Sequence, residues 1–545
     1  MRSQTRTSKP SMNRTGYIPF TLIFLAMTFW LPQALAVNVI MQHNDFSRTG
    51  ANTTEVILSL SNVTNNFGKL FTDTVDGQVY AQPLYVQNLT LSGGTHNVVF
   101  VCTESNSVYA FDADSGGVTY WHDKLGTPFT PSCSDLTPIV GITGTPVIDP
   151  ASGTLYVDTK LVANSATNHE LHALDITTGN EKFGGPVIIT GGSQFNPILE
   201  HQRPGLVLYN GVVYLAFGSH CDQGAYHGFV LGYNATNLTQ MYSFNTTPTG
   251  SQGAIWSGGM APAVDTNGNI YVMTGNGTFD GTTNYGESII KLSTNLVVQG
   301  YTTPTNWSSL NSGDTDFGSG GPVLLPTHYV VGMGKDGVLS LADINNMGGV
   351  GGFVQSFSAQ SRGDTLGKSP VYWQGPSMQY LYFMHANSTT KSFQFTGTNI
   401  NTTNLGTASF TESDRSGGLS LSANGTANGI LWEIDSDSNL RAYDAVNFPK
   451  LLWTGSVGSY VKMNCPTIAN GKVYIGTTSG LGVWGLTNYL YLQSGVQNPV
   501  LDWGTGKLLQ ATNVLGPWTT NTTATSPFTV FPTNGQTFYR VLNSP

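Results

Sequence analysis

Residues Val108–Gly116 read V-Y-A-F-D-A-D-S-G, and Leu171–Gly179 read L-H-A-L-D-I-T-T-G. Each is a short apolar run closed by an Asp and a small polar turn, the pattern of a β-strand entering a tight bend. Upstream of each lies an earlier apolar run, Val98–Val101 or Leu155–Val157, and before that a proline, Pro83 or Pro146. Working outward, the same order recurs behind Pro204, Pro262, Pro322, Pro370 and Pro466, and once in altered form behind Gly418. The first intervals between prolines are 63, 58, 58, 60 and 48 residues. Eight units over residues 37–487 give about 56 residues each, a period typical of repeat architectures. Runs such as Val98–Val101 are apolar at every position, so both faces of these strands must be covered. Blades stacked around a ring meet that demand. The expected fold is all-β: an eight-bladed β-propeller.

Composition narrows the rest. Glycine makes up 65 of 545 residues, charged residues only 10% and aromatic residues 11%, which excludes a long coiled coil and a charge-driven disordered chain. With 22 Lys and Arg and a formal charge of −9, no basic footprint for nucleic acid is available. Residues 1–36 read as a cleaved leader: Arg2, Arg6, Lys9 and Arg14, then the apolar stretch 17–31, then Ala34-Leu35-Ala36. Its removal takes four positive charges and turns −9 into −13. No later segment reaches the ~18 consecutive apolar residues of a membrane helix, so a soluble protein, secreted or periplasmic, is expected. Cys102, Cys133, Cys221 and Cys465 form no CxxC motif, and spacing leaves all three of their pairings open. Residues 488–545 break the repeat and suggest a small separate β-rich module.

The units around Val108–Gly116 and Leu171–Gly179 resemble the repeat of the PQQ-like propellers, the quinoprotein alcohol dehydrogenase-like family, and suggest a secreted bacterial member. Such propellers carry eight four-stranded blades, and their enzymes bind pyrroloquinoline quinone (PQQ) and Ca²⁺ on the ring axis. The resemblance implies cofactor contacts at Cys133 and Asp135, in Cys133-Ser134-Asp135, where the family's adjacent cysteine pair is reduced to one. It implies metal ligands at Gln223, in the place of a Glu, and at Asn276 and Asp316. It also makes Asp316 the catalytic base and puts Lys335 against the quinone oxygens. The family's stacking Trp would fall near Gly258-Gly259, so that floor is expected to be missing, with Trp256 the nearest indole. Each residue also has a plain reading: Asn276-Gly277 as a hairpin turn, Asp316 as a turn cap, Lys335-Asp336-Gly337 as a turn with a solvated charge.

With the second cysteine, the Glu and the Trp altered, the sequence favours an exported binding or scaffold propeller with a degenerate quinone site. Its ligand would be a small molecule, glycan or protein at the propeller mouth. The alternative is a PQQ- and Ca²⁺-dependent dehydrogenase oxidising an alcohol or sugar. Convergence of Asn276, Asp316, Lys335 and Gln223 on one axial cavity is what that alternative requires.

Overall fold

In six of the eight units the anchoring proline stands immediately before a first strand: Pro83 before Leu84–Leu91, Pro146 before Val147–Asp149, Pro262 before Ala263–Val264, Pro322 before Val323–Leu325, Pro370 before Val371–Gln374 and Pro466 before Thr467–Ala469. A proline has no N–H for a ladder, so it marks where pairing begins. These strands belong to a computed structural model that describes residues 38–363, 370–413, 417–487, 490–493, 498–503, 506–531 and 537–542. The expected leader, residues 1–36, lies outside the described residues.

The chain forms eight consecutive sheets, spanning residues 84–124, 147–188, 200–245, 263–303, 323–358, 371–407, 419–456 and 467–486. Each of the first seven is built around an antiparallel meander of four strands in chain order. The eighth has only three strands of its own. Its fourth is Phe67–Thr74 from the start of the chain, paired antiparallel to Gly480–Leu486 with Phe67 opposite Leu486 and Thr74 opposite Gly480.

The interfaces explain the unbroken apolar runs. Side chains alternate across a strand, so Val98 and Phe100 of the first sheet pack with Leu155 and Val157 of the second. Val99 and Val101 turn the other way, onto Tyr474 and Val483 of the eighth. Every other pair of consecutive sheets shares a buried cluster of the same kind. The last sheet therefore packs on the first, and the ring is an eight-bladed propeller. Each buried Val or Phe contributes about 1.5–3 kcal/mol, which makes these seams the main source of stability.

One feature had no counterpart in the repeat pattern. Residues 39–55 run across the first strands of successive blades. The Ile40 carbonyl accepts from Ile148 N (2.9 Å), Phe46 from Val264 N (2.8 Å), Ser47 from Leu324 N (2.9 Å), Thr49 from Tyr372 N (2.9 Å) and Gly50 from Leu421 N (2.8 Å). Val39 exchanges two hydrogen bonds with Tyr85, and Asn52 donates to Ile468 O at 2.8 Å. This belt covers strand edges that would otherwise carry unpaired amides. Arg48 anchors it from inside, fully buried, with Nε donating to Pro262 O (2.9 Å) and Nη1 to Gln42 O (2.7 Å).

After the ring come two small three-stranded sheets. One joins Leu490–Gln493, Val500–Trp503 and Phe528–Thr529; the other joins Lys507–Ala511 with Thr519–Thr520 and Phe538–Leu542. Leu501, Trp503 and Leu508 form their buried centre.

Candidate functional site

In a four-stranded antiparallel meander, the turn between strands two and three leaves from the same end as the crossover to the next blade. All the residues singled out in the sequence fall in these two loop classes. Asn276 and Lys335 follow the second strands of blades four and five, and Gln223 that of blade three. Cys133 and Asp135 lie in the crossover from blade one to two, and Asp316 in that from four to five. The topology thus gathers them at one end of the ring.

Three of them touch. The backbone N–H of Asn276 donates to Asp316 Oδ1 at 2.8 Å, and Lys335 Nζ lies 2.6 Å from Asp316 Oδ2. Asn276 Nδ2 donates to Asp314 Oδ1 (2.7 Å), which also faces Lys335 Nζ at 3.3 Å. Asp316 is buried and Asp314 exposed. The approach depends on a glycine: a Cβ on Gly275 would stand 2.2 Å from Asp316 Oδ1 and 2.9 Å from Trp256 Cδ1. Burial alone would lower the Lys335 pKa, but the charges of Asp316 and Asp314 outweigh it and raise it. Asp222 belongs to the same field. Burial first, then repulsion from Asp316 and Asp314, raises its pKa, and it accepts a hydrogen bond from Tyr226 Oη at 2.6 Å. His220 and Asp222 look to different partners, His220 Nε2 lying 3.4 Å from Cys133 Sγ.

The other expected residues sit differently. Gln223 is exposed and accepts from Ser132 Oγ at 3.0 Å, and no hydrogen bond joins it to the Asn276 group among the described residues. Cys133 is disulfide-bonded to Cys221, 88 residues away, tying the first crossover to the blade-three loop. Asp135 is held between Arg203 and Lys462. Burial opposes its ionisation, but those two cations hold its carboxyl well below the usual carboxylate range.

Several members of the site were missed by the sequence reading. Trp256, set aside because it lies off the expected spacing, is buried in the wall beside Gly275, with the Arg203 guanidinium 5.3 Å from its ring centroid and Tyr226 at 6.3 Å. The buried atoms here that lack a hydrogen-bond partner among the described residues include Asn276 Oδ1, Trp256 Nε1, His220 Nδ1 and Glu287 Oε1. Glu287 was missed as well. Its Oε2 accepts from Phe317 N at 2.6 Å, fixing the turn that follows Asp316.

Burial, and then the charge of Asp316, push the Glu287 carboxyl up to about 9 from an ordinary 4.5. The folded chain therefore keeps a proton that the unfolded chain releases. Its contribution is fully present below about 4.5 and declines as pH rises towards about 9. Glu287→Gln keeps the acceptor and removes the titration, so the fall in urea midpoint between about pH 5 and pH 8 should be smaller in the variant than in the wild type. An unchanged slope would show that Glu287 does not carry that proton.

Neither the protein-family models nor the curated proteins searched give a match. Solved structures do. The quinohemoprotein alcohol dehydrogenase from Comamonas testosteroni is similar over 85% of this chain and 83% of its own, at 14% identity and a TM-score of 0.59. A europium-containing methanol dehydrogenase is similar over 82% of this chain and 98% of its own, at 12% identity and a TM-score of 0.58. BamB from Moraxella catarrhalis is similar over 77% of this chain and all of its own, at 13% identity and a TM-score of 0.51. At these identities the likeness is one of fold, that of the quinoprotein-type propeller, which hosts enzymes and other proteins alike.

Proposed function

We propose that the chain is an exported quinoprotein-type dehydrogenase that oxidises a CH–OH group of an alcohol or sugar, with Asp316 taking the hydroxyl proton. The observation that carries this reading is the direct joining of Asn276, Asp316 and Lys335 in one buried cluster. The plain alternatives, a hairpin turn and a solvated lysine, do not require these groups to meet.

The orphaned atoms bear on whether a quinone and a hard cation suit the site. Asn276 Oδ1 is a buried oxygen with no hydrogen-bond partner among the described residues, and Asp316, joined to the Asn276 amide, brings a carboxylate to the same cluster. That is the chemistry of a Ca²⁺ ligand set. Trp256 Nε1 and His220 Nδ1 await partners that a polar planar ligand could supply. The residues fit: Asn276 and Asp316 would hold the cation, and Lys335 would donate to a quinone oxygen. When bound, the quinone supplies the acceptor for the substrate's hydride.

The chain supplies the rest. Lys335 and the Asn276 amide orient the Asp316 carboxylate, and its low exposure keeps water from competing for the proton. The adjacent ammonium supports negative charge developing on the substrate oxygen. The apolar stretch 17–31 and the small residues after it are the basis for placing this chemistry outside the cytoplasm.

A second reading, a binding propeller without turnover, is favoured by one observation: Gln223 is turned to Ser132 while Asp135 is locked between Arg203 and Lys462. Its ligand at the mouth would be a small molecule, a glycan or a protein. Titration with PQQ and Ca²⁺, followed by absorbance, and then dye reduction with a panel of alcohols and sugars, separates the two. Saturable binding with substrate-dependent dye reduction is expected. Saturable binding without turnover would leave the second reading standing, and no binding would remove the quinone from both.

A further inference from the structure

The Asn276 cluster lies between blades four and five. On the opposite side of the ring, at the same end, a polar hollow of about 190 Å³ opens between blades eight and one. Separate loops shape it. Gln78 and Tyr80 come from the segment that joins the completing strand to blade one, and Asp135 from the crossover to blade two. Tyr460 and Lys462 come from the crossover between blades seven and eight, and Thr478 from the next turn of blade eight. Both tyrosines are half-buried, and Tyr80 packs its ring against Leu136 and Met463. Lys462 pairs with one oxygen of Asp135, whose other oxygen faces Arg203. The side-chain oxygen of Gln78 is buried without a hydrogen-bond partner among the described residues. Thr478 Oγ1 lies 2.6 Å from Ser459 Oγ. Val461 is the aliphatic member of a lining otherwise made of hydroxyl, amide and charged side chains.

We propose that this hollow is a subsite for one neutral sugar ring, separate from the Asn276 cluster. At ~30 Å³ per water, its volume equals roughly six waters, room for a single pyranose ring. An apolar ligand would take water from the amide and hydroxyl groups and return no hydrogen bonds. A sugar returns them, and its C–H faces suit tyrosine, whose apolar ring carries a polar tip. The unmet Gln78 amide is a cost that a ligand hydroxyl relieves. Charge argues for a neutral ligand: the one carboxylate and the one ammonium of the lining are engaged with each other. A few polar groups converging from separate loops are also what fixes the orientation of a small ligand. The inference does not rest on the dehydrogenase reading, because the hollow shares no residue with the Asn276 cluster and needs no quinone.

The test titrates the whole, quinone-free protein with the methyl α-D-pyranosides of glucose, galactose and mannose, read by calorimetry and saturation-transfer NMR. At least one should bind saturably at millimolar concentration. Cyclohexanol, a six-membered ring with a single hydroxyl, should not bind. Tyr460→Ala should weaken sugar binding about tenfold or more, whereas Tyr460→Phe, which keeps the ring, should lose much less. Gln78→Leu should weaken it several-fold, and it carries the test if Tyr460→Ala does not fold. Absence of saturable binding by all three sugars would overturn the inference. So would binding that survives both Tyr460→Ala and Gln78→Leu, which would place the sugar elsewhere at the mouth. Cyclohexanol binding as tightly as the sugars, or D-glucuronate binding more tightly, would make the hollow an apolar or an anion site instead. A separate PQQ titration decides the quinone reading, so either proposal can fail while the other stands.

Discussion

Asp316→Asn should reduce quinone-dependent alcohol oxidation by roughly 10²–10⁴-fold, the range for a positioned proton acceptor, while the protein still folds and still binds quinone. The substitution keeps an oxygen for the Asn276 amide but turns an NH₂ towards Lys335, where the native carboxylate oxygen lies 2.6 Å away. Two effects follow. The proton acceptor is gone, and Lys335 is left with the exposed Asp314 as its remaining anion. The loss should therefore fall mainly on kcat, and the Lys335 ammonium should become more acidic. Steady-state dye reduction with a parallel quinone titration separates the two. Wild-type kcat in the variant would remove Asp316 from the chemistry, and loss of quinone binding alone would make it a ligand only.

How far this cluster could be read from the sequence depended on the residue. Asn276, Asp316 and Lys335 lie in loops of consecutive blades and were legible through the family resemblance, although Asp316 sits in the long crossover between Thr303 and Val323. Trp256 was discounted because spacing placed the indole two residues away, at Gly258-Gly259. The chain there passes through a short 3₁₀ turn, Ser257–Gly259, that spacing cannot anticipate. Gln223 stands apart from the cluster for the opposite reason: it sits in the right loop, but Cys221 is tied to Cys133 and Gln223 is exposed. Four scattered cysteines gave no means of foreseeing that pairing.

Arg48→Met should cost about 2–4 kcal/mol of stability, more than an average substitution. Methionine fills similar space but abandons the carbonyls of Pro262 and Gln42, and it removes the positive charge beside Asp45. Burial holds the Arg48 pKa down to about 10, still well above neutrality, so it is this cation that the variant loses. Urea unfolding should show a lower midpoint with an unchanged slope. Arg48→Lys should recover part of the loss, since it restores the charge but not both hydrogen bonds. A cost below about 0.5 kcal/mol, the scale of an ordinary surface change, would mean that the belt is an ornament of the ring and not a part of it.

The ring itself was legible because its determinants are local and repeated: a proline, an apolar run, a turn, another apolar run. The belt was not, because residues 39–55 pair with six blades through backbone groups and reach a seventh through the Asn52 side chain. Backbone hydrogen bonding leaves little trace in side-chain pattern. The completing strand, Phe67–Thr74, alternates only weakly between buried and exposed positions, so periodicity does not mark it.

That Phe67–Thr74 completes the eighth blade, with the belt just before it, has a consequence for the order of assembly. The earliest-made part of the ring finds its final neighbours among the latest-made, some 400 residues further on. That strand cannot settle until the end has arrived. Contacts so distant along the chain make for slow maturation, and in the interval both the leading segment and the unfinished last blade offer bare strand edges to any passing chain. A protein built this way needs either protection or haste between synthesis and closure.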